Sequence, residues 1–413
     1  MAHIKKVHVS KGLGGYYFDD LHAIKAGARR DGFFYVGTPV VPRQRRVRQP
    51  GESISIMLEL DSGEMGFGDA VAIQYSGVVG RDPVLLADEF APHVAAHVAP
   101  LLEGRELTSL RELDSELEQL HIEETGKLHT GLRYGTSQAI LHALSLLQRR
   151  TMAEVAAEEY GTAVSASPIP VLAQSGDDRH DGADKMILKR VPAITQGLFN
   201  TIEKVGEKGE VLLAYVQWLR DRVQQYGDAG YEPVFHLDVY GMPGRVFDQD
   251  MERTADYIVE LAEAAKPYRL RLEAPVDDGS RDGTMRHMVA LRTALKDRDS
   301  DAEICADDWC NTLDDVRLFA EAGAADMIQI KTPDLGSLTN SAEAVLACQA
   351  AGVKAFLGGT CNGTDQSSRV TANLAMAMQA DLIYNKPGMG VDEGLMIVVN
   401  EMSRILALTA SRR

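Results

Sequence analysis

The amino-acid sequence predicts an α/β protein in which a barrel of parallel strands and helices follows a smaller α+β domain. From about residue 166 onward, short β-branched runs alternate with helical segments, a pattern typical of parallel sheets whose strands are joined by helices. This alternation repeats often enough to favour a closed, TIM-type (β/α) barrel over an open sheet. The preceding chain lacks the pattern, and 413 residues are enough for about two or three domains.

Residues 1–165 are predicted to form the amino-terminal α+β domain. Apolar and polar residues alternate from Ile54 to Leu60, and a turn is predicted at 61–63, so this segment resembles a hairpin. Long runs with helical spacing of apolar residues follow at 84–102 and 133–150. Together, the two patterns indicate a mixed domain.

Residues 166–413 are predicted to form the barrel domain. Its helices include 254–266, where apolar side chains share one face, and a segment that begins with the capping-box pattern of Thr312 and Asp315. Six strand-like runs alternate with such helices: IPVLAQSG, PVFHLDVYG, YRLRLEAPV, AEICADDW, DMIQIKTP and KAFLGGT.

In three of these runs the predicted strand ends in a carboxylate, namely Asp238, Glu273 or Asp307. They are 35 and 34 residues apart, about one strand–helix unit each, and Lys331 follows after another 24. Residues at the carboxyl ends of successive barrel strands converge on one mouth, where active sites of this fold lie. One such carboxylate alone is typical of a helix cap or a surface position, but their shared place at strand ends favours a common site.

Clustered carboxylates would repel one another unless a cation neutralised them. Oxygen ligands suit a hard divalent ion, so Asp238, Glu273 and Asp307 predict a Mg²⁺ site. A bound divalent ion eases removal of a proton alpha to a carboxylate, because it stabilises charge on the carboxylate oxygens. Lys331 is therefore the predicted base, with a pKa lowered by the cation and by burial. Gln329, on the same strand face, would hold the substrate carboxylate.

For the strand that ends at Lys331, taken alone, the alternative is a lysine that merely reaches from the strand end into solvent.

A second segment of interest is FLGGTCNGT at 356–364. Its glycines let backbone N–H groups approach an anion and Thr360 adds a hydroxyl donor, so it is suited to a second carboxylate. A plain Gly-Gly turn explains the same residues equally well. Cys361 need not be a nucleophile, because no basic partner for it can be identified in the sequence.

The composition excludes several classes of function. The formal charge of −17 argues against a nucleic-acid or anionic-membrane surface. No apolar run approaches the ~18 residues that a membrane span needs, and the amino terminus lacks an apolar signal core. Four cysteines without a Cys-x-x-Cys pair fit a reducing compartment. We therefore expect a cytoplasmic protein with no nucleic-acid or membrane partner.

The order of Asp238, Glu273, Asp307 and Lys331 resembles the enolase superfamily, whose members abstract a proton alpha to a carboxylate. More narrowly, the chain from about residue 10 to its end resembles methylaspartate ammonia-lyase. The resemblance implies elimination of ammonia from L-threo-3-methylaspartate to give mesaconate, with Mg²⁺ and a monovalent cation such as K⁺, in a homodimer. The motifs that carry it are QYSGVVGRDP, AQSGDDR, HLDVYG, ADDWCNT, QIKTPDLG, GGTCNGT and KPGMGVDEG.

The resemblance also implies a role for each matching residue. The metal ligands would be the three strand-end carboxylates, and Lys331 would take the C3 proton. Gln174 and Gln329 would bind substrate carboxylates, while Thr360 and the Cys361 backbone would hold the alpha-carboxylate. Gln74 would contact the amino group, which implies that the amino-terminal domain caps the barrel mouth and excludes water.

The chain departs from the family at four positions. Gln196 stands where the family has a histidine that contacts the substrate carboxylate and serves as base for the other C3 diastereomer. Gln196 can donate a hydrogen bond but cannot accept a proton at a working pH. Tyr384 replaces the usual leucine, and Leu172 and Phe356 replace the usual phenylalanine and tyrosine. These positions lie near the alkyl and amino pockets, so the preferred substrate and epimer are open.

Two other functions remain open at the level of sequence. One is another enolate reaction, such as racemisation or dehydration of an acid sugar, with the same metal and Lys331. The other is a weakly active or non-catalytic relative that binds a dicarboxylate or a protein partner, suggested by Gln196. The intact carboxylate triad disfavours the second, because folding does not require three carboxylates at one barrel mouth.

Overall fold

The computed structural model describes residues 2–122 and 126–412. Its amino-terminal part combines antiparallel strands with helices, as the sequence predicts, and is called the cap below. The strands are β1 (Ile4–Asp19), β2 (Arg29–Asp31), β3 (Phe34–Val36), β4 (Arg48–Leu60), β5 (Met65–Ala70), β6 (His121–Ile122) and β7 (Gly126–Lys127). The helices are α1 (Leu21–Lys25), α2 (Ala87–His93), α3 (Ala99–Leu102), α4 (Leu110–Gln119), α5 (Thr130–Gln148) and α6 (Met152–Tyr160).

The cap is built on the sheet β1–β4–β5, in which β4 and β5 form the predicted hairpin. The helix predicted at 84–102 is present, but a π-helical turn at Val94–Val98 joins α2 to α3. Helix α5 lies directly on the sheet, because a Cβ at Gly68 would come within 2.0 Å of the Gly135 carbonyl oxygen. Larger residues at these two positions would push the helix off the sheet.

Eight parallel strands then close into a barrel, so the predicted (β/α) barrel is confirmed. Each strand pairs with the next along the chain, and the last pairs with the first. The sequence pattern predicted six of them and missed the second and the eighth. The strands are β8 (Val171–Leu172), β9 (Ala193–Gln196), β10 (Val234–Asp238), β11 (Leu270–Glu273), β12 (Glu303–Ala306), β13 (Met327–Ile330), β14 (Lys354–Leu357) and β15 (Leu382–Tyr384).

At least one helix follows each barrel strand. The predicted capping box at Thr312 is confirmed, since its hydroxyl accepts from the Asp315 amide and the Asp315 carboxylate accepts from the Thr312 amide. Within the described ranges, none of the helices combines the length and apolar character needed to cross a membrane. The helices are α7 (Arg179–Leu188), α8 (Ile202–Val205), α9 (Glu210–Tyr226), α10 (Met242–Val246), α11 (Met251–Ala265), α12 (Arg281–Asp297), α13 (Leu313–Glu321), α14 (Thr332–Leu335), α15 (Leu338–Ala350), α16 (Asp365–Met378) and α17 (Asp392–Ala410).

The cap docks against the carboxyl end of the barrel. The Gly15 amide donates to the Gly363 carbonyl at 3.0 Å, in the loop that follows β14. In the same loop the Thr364 hydroxyl donates to the Asp69 carboxylate at 2.6 Å. These bonds hold β1 and β5 of the cap over the mouth where the strand-end residues converge.

Candidate active site

The barrel mouth and the cap enclose one pocket. The ten predicted site residues all line it, and they come from seven barrel strands or strand ends and one cap segment. Leu172 and Phe356, which were expected near the substrate, do not line the pocket and belong to a buried apolar cluster instead. The lining includes Gln74, Gln174, Gln196, Asp238, Glu273, Asp307, Gln329, Lys331, Thr360 and Cys361.

The three carboxylates form a compact buried triad. Asp238 and Glu273 are the last residues of β10 and β11, and Asp307 follows β12 directly. One oxygen of each lies within 4.8 Å of the others. Burial raises the pKa of Glu273 and of Asp307 to about 7, and burial and the Glu273 charge raise that of Asp238 well above its ordinary value. Neighbouring negative charges in a dry site resist ionisation.

This donor set fits a divalent cation. It consists of three carboxylates, which are the ligands that hard ions such as Mg²⁺ prefer. A bound ion would remove the mutual repulsion that raises the pKa values of the triad, because opposite charge favours the ionised form. The structure therefore supports Asp238, Glu273 and Asp307 as residues able to hold Mg²⁺.

Lys331 lies beside the triad. Its Nζ is 2.5 Å from Asp307 Oδ1 and 3.5 Å from Asp308 Oδ1. Burial acts to lower its pKa, as expected from the sequence, but the attraction of Asp307 and Asp308 outweighs burial and raises the pKa above its ordinary value. The expected lowering therefore depends on a cation that neutralises these carboxylates.

Gln329 has a partner that the sequence did not predict. Its Nε2 donates to Glu273 Oε1 at 2.9 Å. One of its two N–H groups therefore orients a triad carboxylate. The amide has a second N–H, so the predicted contact with a substrate carboxylate stays a prediction.

Gln196 and Tyr384, two of the positions that depart from the family, contact each other. The Tyr384 hydroxyl donates to Gln196 Oε1, and Gln196 Nε2 donates to Asp238 Oδ2 at 3.1 Å. Both side chains are buried. The hydroxyl thus fixes the amide so that its N–H groups face the triad. Since β9 and β13 are four strands apart in an eight-stranded barrel, Gln196 faces Lys331 across the mouth.

The side of the pocket formed by β8, β14 and β15 carries no acidic candidate. Gln174 follows β8, and Thr360 and Cys361 lie in the loop after β14, where Gly359 has the left-handed φ of 83°. The Thr360 hydroxyl donates to the Ala72 carbonyl of the cap at 3.3 Å. Burial raises the pKa of the Cys361 thiol, which agrees with the prediction that it is not a nucleophile.

Gln74 brings the cap into the pocket. Its Nε2 donates to Asp19 Oδ2 at 2.7 Å, and Asp19 is paired in turn with the Arg48 guanidinium. Because the nitrogen of the amide binds Asp19, its oxygen points elsewhere. Gln74 Oε1 lies 3.5 Å from Cys361 Sγ. An oxygen in this position is suited to accept from an amino group.

The sequence did not point to five further residues at the site, which are Arg81, Asp308, Asp334, Lys386 and His236. Arg81 of the cap is paired with Asp308 at 2.7 Å and with Asp334 at 2.8 Å. Burial would raise the pKa of Asp308, but the Lys331 and Arg81 charges hold it below its ordinary range. Lys386 lines the pocket directly. A recognisable signal for Lys386 is the apolar run at 382–384, which is followed closely by a lysine and a proline, as is the strand before Lys331.

The fifth is His236, which lies within β10. Its Nε2 is 2.8 Å from Glu273 Oε2 and its ring is completely buried. Burial and the nearby Arg271 charge lower its pKa well below the ordinary value. A neutral His236 can donate to Glu273 and so align this carboxylate on the side opposite Gln329.

Models of one protein family match nearly the whole chain. The model described as methylaspartate ammonia-lyase N-terminus matches residues 2–161, and the corresponding C-terminus model matches 163–411. Methylaspartate ammonia-lyase from Clostridium tetanomorphum is 49% identical over 412 residues, which are 99% of this chain and 100% of the relative.

Solved structures agree. The structure of beta-methylaspartase from Clostridium tetanomorphum as a Mg-complex is 49% identical, covers 100% of both chains and has a TM-score of 0.95. That of the Citrobacter amalonaticus methylaspartate ammonia-lyase, which contains (2S,3S)-3-methylaspartic acid, is 44% identical with a TM-score of 0.97, over 99% of this chain and 100% of that one. Muconate cycloisomerase from Pseudomonas fluorescens, 18% identical over 91% of this chain and 84% of its own, shares the fold with a TM-score of 0.62.

The barrel and cap, the buried triad beside a lysine, and relatives close to half identical along their whole length lead to one conclusion. This chain belongs to the methylaspartate ammonia-lyase family.

Proposed function

We propose that this enzyme eliminates ammonia from L-threo-3-methylaspartate, or a close 3-substituted aspartate, to give mesaconate, with Lys331 as the base. The observation that carries the proposal is the contact between Lys331 and a buried triad of carboxylates in a pocket that also holds amide and hydroxyl groups. Lys331 and the triad suit proton abstraction, and the other groups suit a second carboxylate and an amine.

In this reaction the neutral Lys331 amine takes the proton from C3, the carbon next to one substrate carboxylate. A Mg²⁺ ion held by Asp238, Glu273 and Asp307 would stabilise the negative charge that spreads onto the oxygens of that carboxylate. Asp308, which is not a proposed metal ligand, lies 3.5 Å from Nζ and can pair with the protonated Lys331, which favours the proton transfer.

Elimination is complete when the C2–N bond breaks and ammonia leaves. The side-chain oxygen of Gln74 would accept a hydrogen bond from the amino group, because its nitrogen is already bound to Asp19. Tyr75 of the cap meets Tyr240 of the barrel edge to face, with ring centroids 6.5 Å apart. These rings narrow the entrance, and excluding water strengthens the electrostatic interactions within the pocket.

Gln196 favours elimination over racemisation. A racemase needs a second base on the far side of the substrate, and the side chain that faces Lys331 across the mouth is an amide, which does not accept a proton. The hydroxyl of Tyr384, which binds this amide, has a pKa raised well above its ordinary value by burial. We therefore expect one base and one reactive epimer.

The proposal includes K⁺ as monovalent cation, a homodimer and a cytoplasmic location. The resemblance to the family supports K⁺. Exposed apolar side chains on β1 and β3 of the cap, among them Leu13 and Phe34, support a second subunit. Four free, buried cysteines fit a reducing compartment. We propose no nucleic-acid or membrane partner.

The test is elimination by the purified protein with Mg²⁺, K⁺ and each C3 epimer of 3-methylaspartate, followed by the ultraviolet absorbance of the conjugated product and by ammonia release. We expect activity with the threo epimer alone. Lys331→Ala should lower the rate by about 10³-fold, the contribution of a general base, and should keep the rise in Tm on addition of Mg²⁺, because the triad is intact.

Lys354→Ala is the matched control, since Lys354 begins β14 at the opposite end of the barrel and is paired with Glu303. It should leave the rate unchanged. Absence of product with both epimers, in protein whose Tm rises with Mg²⁺, would overturn the proposed function.

A further inference from the structure

Lys386 is a buried cation without an acidic partner. Only 6% of it is exposed, and among residues 2–122 and 126–412 no carboxylate oxygen comes within 4.0 Å of its Nζ. Burial of an unpaired charge is costly, and here burial lowers the pKa of Lys386 to about 8. An anion from outside the chain, such as a ligand carboxylate, would offset the cost of burying the Lys386 charge.

The environment of Lys386 opens toward the pocket. Its Nζ donates to Gln174 Oε1 and lies 3.9 Å from the centroid of the Tyr384 ring. Both neighbours line the same pocket as Lys386. The lysine therefore points to the place where substrate binds under the proposed function.

The bond to Gln174 also determines which end of this amide faces the pocket. A lysine ammonium can only donate, so the atom that it contacts must be the amide oxygen. Gln174 Nε2 makes no hydrogen bond with any other residue that the structure describes. Its N–H groups are thus left to donate to an anion beside the Lys386 charge.

Backbone bonds hold these groups in one arrangement. The Gly388 amide donates to the Cys361 carbonyl at 2.9 Å, which joins the loop after β15 to the loop after β14. The backbone N–H of Gln174 donates to Asn385 Oδ1 at 2.9 Å. This bond joins the loop after β15 to the end of β8. Lys386 and Gln174 therefore lie on the same side of the pocket as Cys361.

This side lies away from the metal ligands. The triad stands at the ends of β10 to β12, whereas Gln174, Lys386 and the loop that holds Thr360 stand at the ends of β8, β15 and β14. A substrate with two carboxylates can therefore place one at the triad and the other here. We propose that Lys386 is the counter-ion of the substrate carboxylate that does not bind the metal, and that it aligns Gln174 to bind the same carboxylate. The proposal rests on the proposed function, which defines the substrate as an amino dicarboxylate.

The test compares two ligands that differ in this carboxylate alone. Mesaconate has both carboxylates, and methacrylate lacks the one that would meet Lys386. Their affinities for the Mg²⁺-loaded protein can be measured by calorimetry without ammonia, so no turnover is required. We expect Lys386→Met to weaken mesaconate binding by about 10- to 100-fold, the range for a charge-assisted hydrogen bond, and methacrylate binding by less than about 2-fold.

Two further variants separate charge from packing. Lys386→Gln can still donate to Gln174 but carries no charge, so it should lose mesaconate affinity as Lys386→Met does, and it replaces that variant if Lys386→Met does not fold. Lys386→Arg keeps the charge and should retain most of the preference for mesaconate. Lys354→Met is the matched control at the opposite end of the barrel and should bind both ligands as the wild type does.

The outcomes separate this proposal from the proposed function. The counter-ion role is wrong if the neutral variants at Lys386 weaken the binding of mesaconate and methacrylate equally, or weaken the binding of neither ligand. This holds even when the wild type eliminates ammonia. If the neutral variants lose affinity for mesaconate but not for methacrylate, and the wild type releases no ammonia from either epimer, the dicarboxylate site is supported and the proposed lyase reaction is wrong.

Discussion

The two sides of the pocket solve opposite electrostatic problems. One side, the acidic wall, consists of Asp238, Glu273 and Asp307 at the ends of three neighbouring strands. The other side, the amide wall, consists of Gln174, Thr360, Cys361 and Lys386. The acidic wall has an excess of negative charge and calls for a cation, whereas the amide wall has a buried positive charge and calls for an anion. Under the proposed function, Mg²⁺ would neutralise the acidic wall and a substrate carboxylate would pair with Lys386 of the amide wall.

Two residues lie where the walls meet, on opposite sides of the barrel. Lys331 follows β13, between the last acidic strand and β14, and Gln196 ends β9, between β8 and the first acidic strand. Lys331 is the proposed base, whereas Gln196 is an amide. Under the proposed function the substrate would meet a proton acceptor at one of these two junctions, the one with Lys331.

Metal removal should give the largest effect, because it leaves the acidic wall uncompensated. We expect chelation of divalent ions to abolish elimination, and Glu273→Gln to remove most of the rise in Tm that Mg²⁺ produces. The measurement is Tm with and without Mg²⁺. A shift of wild-type size in Glu273→Gln would contradict the assignment of this carboxylate as a metal ligand.

The same wall should show a pH dependence of defined sign. The pKa values of Glu273 and Asp307 are raised to about 7, whereas carboxyl groups in the unfolded chain titrate at about 4. Between these values the folded protein binds more protons, so without Mg²⁺ its stability falls as pH rises toward 7. Mg²⁺ needs the ionised carboxylates, so its stabilising effect should grow over the same range. A Tm shift independent of pH would contradict the raised values.

Loss of Arg81 should give an intermediate effect on the acidic side. This side chain is 3% exposed and neutralises Asp308 and Asp334. Arg81→Met would leave both buried carboxylates without it, and we expect destabilisation by about 3 kcal/mol, in the range for breaking a buried ion pair. Urea unfolding measures this change. The control is Arg43→Met, at a 40% exposed pair with Glu89, for which about 0.5 kcal/mol or less is expected.

Tyr384 joins the two walls, and its hydroxyl should give the smallest effect. The hydroxyl binds Gln196 while the ring lies under Lys386. Tyr384→Phe keeps the ring and frees the Gln196 amide, so kcat/KM should fall by about 2- to 10-fold, the effect of one hydrogen bond. Tyr231→Phe is the control, because its hydroxyl binds the Val191 carbonyl outside the pocket. An equal loss in both variants would indicate a general effect on folding.

The acidic wall could be predicted from the sequence because its strands are recognisable. Asp238 and Glu273 are the last residues of the short strands VFHLD and LRLE, and barrel topology brings such ends together. The same pattern led to Lys331. The closed barrel followed from the repetition of these units, although two strands were missed.

The amide wall was harder to predict because its clearest residue follows a missed strand. Strand β15 has three residues and no alternation, so Lys386, two positions beyond it, was not recognised as a strand-end residue. The partners of Gln329 and Gln196 could not be predicted either, because local periodicity does not determine which side chains meet across a barrel. The predicted lowering of the Lys331 pKa stays a prediction, because it presupposes a bound cation. Without that cation Asp307 and Asp308 raise the pKa, and their distances from the amine could not be predicted from the sequence.

Arg81 affects whether the cap and the barrel can be separated or exchanged between enzymes. It belongs to the cap, yet the two carboxylates that it neutralises belong to the barrel, and one of them also contacts Lys331. A barrel expressed without its cap would lose the cation that pairs with Asp308 and Asp334. A cap grafted from another barrel enzyme must therefore supply a cation at this point. The cap and the barrel form one electrostatic unit and have to be inherited together.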